Sequence, residues 1–89
     1  MNRQLLIIAL LQQLNAVHPA KLRIAELAVG CEKMGHGKHS PETLTGILTD
    51  LFSTQLVTCS DDPFDATVTL YGRTEQARVL LVKGGHIDG

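Results

Sequence analysis

Eighty-nine residues, 44% of them apolar but with no Trp, one Tyr and two Phe, allow one small core built from aliphatic side chains. Eight Lys plus Arg against nine Asp plus Glu give a net charge of −1, which excludes a chain that is basic throughout and makes any nucleic-acid footprint a local one. Two cysteines, Cys31 and Cys59, exclude a disulfide framework and read as reduced, partly buried thiols of a cytoplasmic protein.

The first element is a helix from Arg3 to Val17. Leu6, Ile7, Leu10, Leu11 and Leu14 recur at helical spacing. Leu5, Ile8 and Ala9 widen the stripe until the helix is apolar nearly all round. A helix of that kind is buried on several sides, and a second subunit is expected to cover part of it. The apolar run behind Arg3 passes directly into Gln12, Gln13 and Asn15, so it reads as a core helix and not as a leader. It is also too short to span a membrane.

The dipeptide His18–Pro19 ends that helix. A second helix is expected to start near Ala20, with Leu22, Ile24, Leu27 and Ala28 on its buried side, and to stop at Gly30 or at Gly35. "GHGKH", residues 35–39, is a loop, because its two glycines favour neither helix nor strand. The third helix has the clearest start signal in the chain. In "SPET", Ser40 caps, Pro41 sits where a missing N–H costs nothing, and Glu42 suits the positive end of the dipole. Leu44, Ile47, Leu48 and Leu51 form its inward stripe, with Phe52 at the edge.

After Gln55 the period changes. "LVTCS" and "TVTLY" are short β-branched runs around the turn-rich "DDPFDA", which predicts a two-stranded antiparallel hairpin. A last helix follows, capped by Thr74, with Ala77, Leu80 and Leu81 on its inner face and Gly84–Gly85 as its stop. One domain over residues 1–85 and a flexible tail over 86–89 are the expected organisation.

The order is helix, helix, helix, strand, strand, helix. From Leu22 to Leu81 the chain resembles the winged-helix (winged helix-turn-helix) superfamily, an α+β fold, loosely like MarR- and PadR-type bacterial regulators. "RIAELA" is similar to its second helix, "SPETLTGILTDLF" to its third, and "LVTCS…TVTLYGRTEQAR" to a wing followed by the turn such regulators carry. The connection between the second and third helices is longer than the usual tight turn. The resemblance implies a DNA-binding transcriptional regulator, dimerising through its first and last helices.

With the inward stripe fixed, the third helix turns Glu42, Thr43, Thr45, Gly46, Thr49, Asp50 and Ser53 outward. In a DNA-binding protein Thr43, Thr45 and Thr49 would meet bases. Lys33, Lys38, Arg73 and Arg78 would meet phosphates. Asp50, and Asp61, Asp62 and Asp65 on the wing tip, work against that, since they would repel phosphate. The alternative is a protein-docking module using Gly46, Asp61, Asp62 and Asp65. Cys31, His36 and His39 are spaced C-x4-H-x2-H, which matches no strong zinc signature, and no metal is expected. Neither Ser40 nor Ser60 has a base at motif spacing, and "GHGKHS" does not follow a strand. No enzyme activity and no cofactor are therefore expected.

Overall fold

A computed structural model describes residues 3–87. The chain runs α1 (Arg3–Val17), β1 (Leu22–Arg23), α2 (Ile24–Lys33), α3 (Pro41–Ser53), β2 (Val57–Asp62), β3 (Asp65–Arg73) and α4 (Glu75–Lys83). The strands form one antiparallel sheet in the order β1-β3-β2. This is the α+β, winged-helix architecture.

α1 is the centre of the molecule. Leu6, Ala9, Leu10, Leu11 and Leu14 are buried, and the helix packs against α2, β3 and α4. Its apolar breadth is therefore used within one chain. On its length only Leu5 leaves a large apolar side chain strongly exposed.

The second helix begins at Ile24, not near Ala20. Leu22 and Arg23 are extended instead and pair with Tyr71 and Leu70 of β3, which makes the sheet three-stranded where a two-stranded hairpin was expected. Once Arg23 is extended it becomes the N-cap, and the Glu26 carboxylate accepts its backbone N–H at 3.1 Å, satisfying a donor the helix cannot. α2 then runs past Gly30. A Cβ there would lie 1.7 Å from Oε1 of Gln13 on α1, so the flexible Gln13 amide would have to shift to admit one. Leu27 and Cys31 are its fully buried residues, while Leu22, Ile24 and Ala28 pack at the margin of the core. Gly35 and Gly37, at φ +86° and +78°, take the loop through conformations that other residues rarely adopt.

α3 follows its start signal. Ser40 Oγ accepts from the Thr43 N–H at 3.2 Å, Pro41 is the first helical residue, and Leu44, Ile47, Leu48 and Leu51 are buried. α4 is capped in the same way, Thr74 Oγ1 accepting from the Ala77 N–H at 3.2 Å. Ala77 and Leu81 are buried, but Leu80 is not on the inner face: it is 48% exposed. The i,i+4 pair alone meets the core, and the residue one step back is rotated off it. After Gly84 and Gly85 the chain turns back. Gln12 Nε2 donates to the His86 carbonyl at 3.0 Å, and Ile87 packs against the core. Asp88 and Gly89, the rest of the expected tail, lie outside the described residues. Among the described residues no helix is long and apolar enough to cross a membrane.

Candidate nucleic-acid interface

The outer face of α3 is a shallow concavity lined by Pro41, Glu42, Thr45, Gly46, Thr49 and Asp50. Thr45 and Thr49 are one turn apart and exposed, and a Cβ built on Gly46 between them meets nothing within 4 Å. The hydroxyls have a defined polarity. Thr49 Oγ1 donates to the Thr45 carbonyl at 2.8 Å, and Ser53 Oγ to the Thr49 carbonyl at 3.2 Å. Their hydrogens are thus used on the helix, and Thr49 shows the outside lone pairs and a methyl group. Thr43 does not join this face. Its hydroxyl is 2.9 Å from Ser40 Oγ, and with Arg3, Leu6, His39 and Ile47 it lines a separate cleft between α3 and the start of α1.

The carboxylates are not the bare array that the sequence implies. Asp50 is ion-paired with Arg3, brought from 47 residues away; both side chains remain largely in solvent. Asp62 is not on the wing's surface at all. It is 6% exposed, its Oδ2 accepts from Arg23 Nη2 at 2.8 Å, and its Oδ1 accepts from the Phe64 N–H at 2.8 Å. Asp65 is exposed but engaged. Its Oδ1 accepts from Thr67 Oγ1 at 2.6 Å and from the Thr67 N–H at 3.0 Å, and these bonds hold its carboxyl below the usual range. Asp61 faces solvent. Beside it Lys21 Nζ donates to Ser60 Oγ at 2.9 Å, with the lysine stem lying over Gly72. The sequence reading therefore missed three cations of this surface, Arg3, Lys21 and Arg23. The two-residue β1 that carries Arg23 is too short to leave a periodic signal.

The four basic residues expected at phosphates separate into two pairs. Lys33, in the last turn of α2, and Lys38, in the loop before α3, are exposed. Arg73 turns inward: its side chain is 10% exposed, Nη1 donates to Asn15 Oδ1 at 2.8 Å, and Nη2 lies 3.8 Å from Glu75. Its Nε is buried with no partner among the described residues. Arg73 thus ties α1 to β3 and α4, and is corrected from phosphate contact to internal strut. Arg78 donates through Nε to Glu75 Oε1 at 2.7 Å, and that bond, first among its causes, lowers the Glu75 carboxyl.

The cysteine and histidine side chains do not converge. Cys31 is buried, which raises its thiol against the opposing effect of Gln13 Nε2 at 3.5 Å, and Cys59 is exposed on β2. His39 Nε2 is 2.9 Å from the His36 carbonyl. Among the described residues no three His, Cys, Asp or Glu side chains are grouped to hold a metal ion.

The four helices and the three-stranded sheet with its β2–β3 wing make a winged-helix fold. No family model and no curated protein matches the chain. Solved structures do. A point mutant of MepR from S. aureus superposes with a TM-score of 0.72 at 18% identity, over 86% of this chain and 51% of that one. YusO from Bacillus subtilis gives 0.71 at 18%, over 91% and 53%. The adhesin competence repressor AdcR from Streptococcus pyogenes gives 0.62 at 19%, over 88% and 53%. The chain spans about half the length of these structures, and at these identities the likeness is one of fold.

Proposed function

We propose that this protein is a winged-helix transcriptional regulator that binds double-stranded DNA, works without catalysis or cofactor in the cytoplasm, and pairs as a homodimer. α3 enters the major groove with Thr45 and Thr49 toward base edges and Thr43 toward the adjoining backbone. Because the Thr49 hydroxyl hydrogen is used on the helix, that residue suits exocyclic amino groups and thymine methyls. Lys33 and Lys38 approach phosphate on one side of the helix.

The observation that carries the proposal is the local neutralisation of acid on this surface. Of the four carboxylates the sequence sets against phosphate, Asp50 is ion-paired with Arg3 and Asp62 is buried against Arg23, while Asp61 and Asp65 keep their charge in solvent. The open face between Thr45 and Thr49 is left without a projecting side chain at its centre. The test is a titration of random duplex at two salt concentrations, on protein of measured oligomeric state. Binding that weakens steeply with salt supports the proposal; no binding at low salt refutes it.

A second reading has one observation of its own. Phe52 is 51% exposed on the same helix as the bare Gly46, a combination suited to docking a protein. On that reading, DNA is not bound at low salt, and Gly46→Arg abolishes capture of a protein partner.

A further inference from the structure

The hydrogen bonds on the outer face of α3 limit which base pairs that face can read. Glu42 and Asp50 carry only acceptor oxygens. Thr49 and Ser53 have given their hydroxyl hydrogens to the carbonyls of Thr45 and Thr49, at 2.8 and 3.2 Å. On this face Thr45 alone keeps a hydroxyl hydrogen with no partner among the described residues. The Arg3 guanidinium beside the helix is engaged by Asp50. What faces outward is therefore a set of lone pairs, the methyl groups of two threonines and one free hydroxyl hydrogen. The shape is as specific as the chemistry. The hollow has Thr45 and Thr49 on either side of Gly46, where an added Cβ would meet nothing within 4 Å.

The geometry points to a thymine-methyl seat over Gly46, through which α3 selects an A·T base pair. This rests on the DNA-binding function proposed above. In the major groove an A·T pair shows the adenine amino group, a donor, and the thymine methyl, with one acceptor on each base. The Thr49 lone pairs accept from the amino group. The thymine methyl enters the hollow between the two threonine methyls. The single Thr45 hydrogen meets one of the acceptors. A G·C pair matches poorly. Guanine shows two adjacent acceptors, which call for a bidentate donor such as arginine, and cytosine has no methyl to fill the hollow. Two acceptors would then face the Thr49 lone pairs. Gly46 is thus a specificity-determining position, acting by the space it leaves.

The experiment uses the full chain. Duplexes are selected from a random pool by binding, and each thymine of the selected sequence is replaced singly by deoxyuridine, which lacks only the methyl. At one thymine under α3 the native protein should lose about fourfold in affinity, the worth of burying one methyl group. Replacing that pair by G·C should cost about tenfold or more. In Gly46→Ala the new methyl occupies the hollow, so thymine and uracil duplexes should bind equally. Alanine favours the helix at this open position, so that change does not come from unfolding. Thr49→Val keeps the side-chain methyl and should keep the uracil effect. A selected sequence in which no thymine responds to uracil overturns the seat, as does a uracil effect of the same size in Gly46→Ala, or a selection that enriches no sequence. Each of these leaves DNA binding standing. No binding at low salt overturns both.

Discussion

Asp50→Asn is the substitution that most directly probes the α3 surface. Asp50 lies on the outer concavity of the helix, and its carboxylate is paired with Arg3 in a largely exposed bridge. An exposed pair of this kind contributes about 0–1 kcal/mol to stability, so the fold should survive its loss. Asn has nearly the same helix propensity as Asp, and removing a negative charge from the C-terminal half of α3 relieves an unfavourable dipole interaction of a few tenths of a kcal/mol. The effect on DNA is larger. The change removes a carboxylate from the face proposed to meet phosphate, and it frees a guanidinium beside the same helix. Each additional phosphate contact steepens the slope of log affinity against log salt by about 0.9. Over a fourfold change in salt, roughly 50 to 200 mM, one contact multiplies the ratio of low-salt to high-salt affinity by about 3.5. Fluorescence anisotropy with a random duplex measures that ratio, and a thermal melt checks the fold. Adding Arg3→Gln to the Asp50→Asn protein should return the slope to the native value. Unchanged slope and affinity in a folded Asp50→Asn protein would show that this face of α3 does not meet DNA.

Lys33→Ala and Lys38→Ala should each flatten the salt slope by about 0.9 and weaken binding equally for all sequences. Arg73→Gln should instead lower the melting temperature and leave the slope alone, because Arg73 is internal; a flattened slope in that variant would contradict its role as a strut. Gly30→Ala brings about 1 kcal/mol of helix propensity but drives its methyl into the Gln13 amide. It should be neutral or destabilising in the native background and stabilising by about 1 kcal/mol in Gln13→Ala, so equal effects in the two backgrounds by denaturant unfolding would refute the clash. The Asp65 carboxyl is held low by Thr67, so its share of wing stability is complete above the ordinary carboxylate range and is lost as pH falls through the lowered native value. Thr67→Val removes the hydroxyl bond and should move the Asp65 midpoint upward in an NMR titration; an unmoved midpoint rules that bond out as the cause.

What was legible in the sequence is what short-range chemistry determines. The Ser40–Pro41 start of α3 and the Thr74 cap of α4 are satisfied within three residues, and both helices begin where those residues say. The stripe of Leu44, Ile47, Leu48 and Leu51 needs only a helical period to be seen. Leu80 misled because a stripe of three apolar residues admits two facings, and only contact with α1 selects Ala77 and Leu81. β1 was not legible, since two residues become a strand only through Tyr71 and Leu70, far along the chain.

The same distinction governs the charges, and it bears on function. Counting residues along the chain puts Asp50, Asp61, Asp62 and Asp65 on a binding surface whose expected cations are Lys33, Lys38, Arg73 and Arg78. In the folded protein Arg3 reaches Asp50 across 47 positions, and Arg23 reaches Asp62 across 39. Conversely, Arg73, which the sequence offers as a free cation, is drawn inward by Asn15 across 58 positions. Local charge here is decided by which long side chains the topology lets meet. A sum over the sequence therefore says little about whether α3 faces phosphate. The exchange also leaves an asymmetry: the cations recruited to the acids come from α1 and β1, the elements flanking the winged-helix face, while the arginine withdrawn from solvent lies where β3 joins α4. If α3 binds DNA, removal of Arg3 or Arg23 should weaken binding more than removal of Arg73, although neither belongs to the helix or the hairpin that would make the contact.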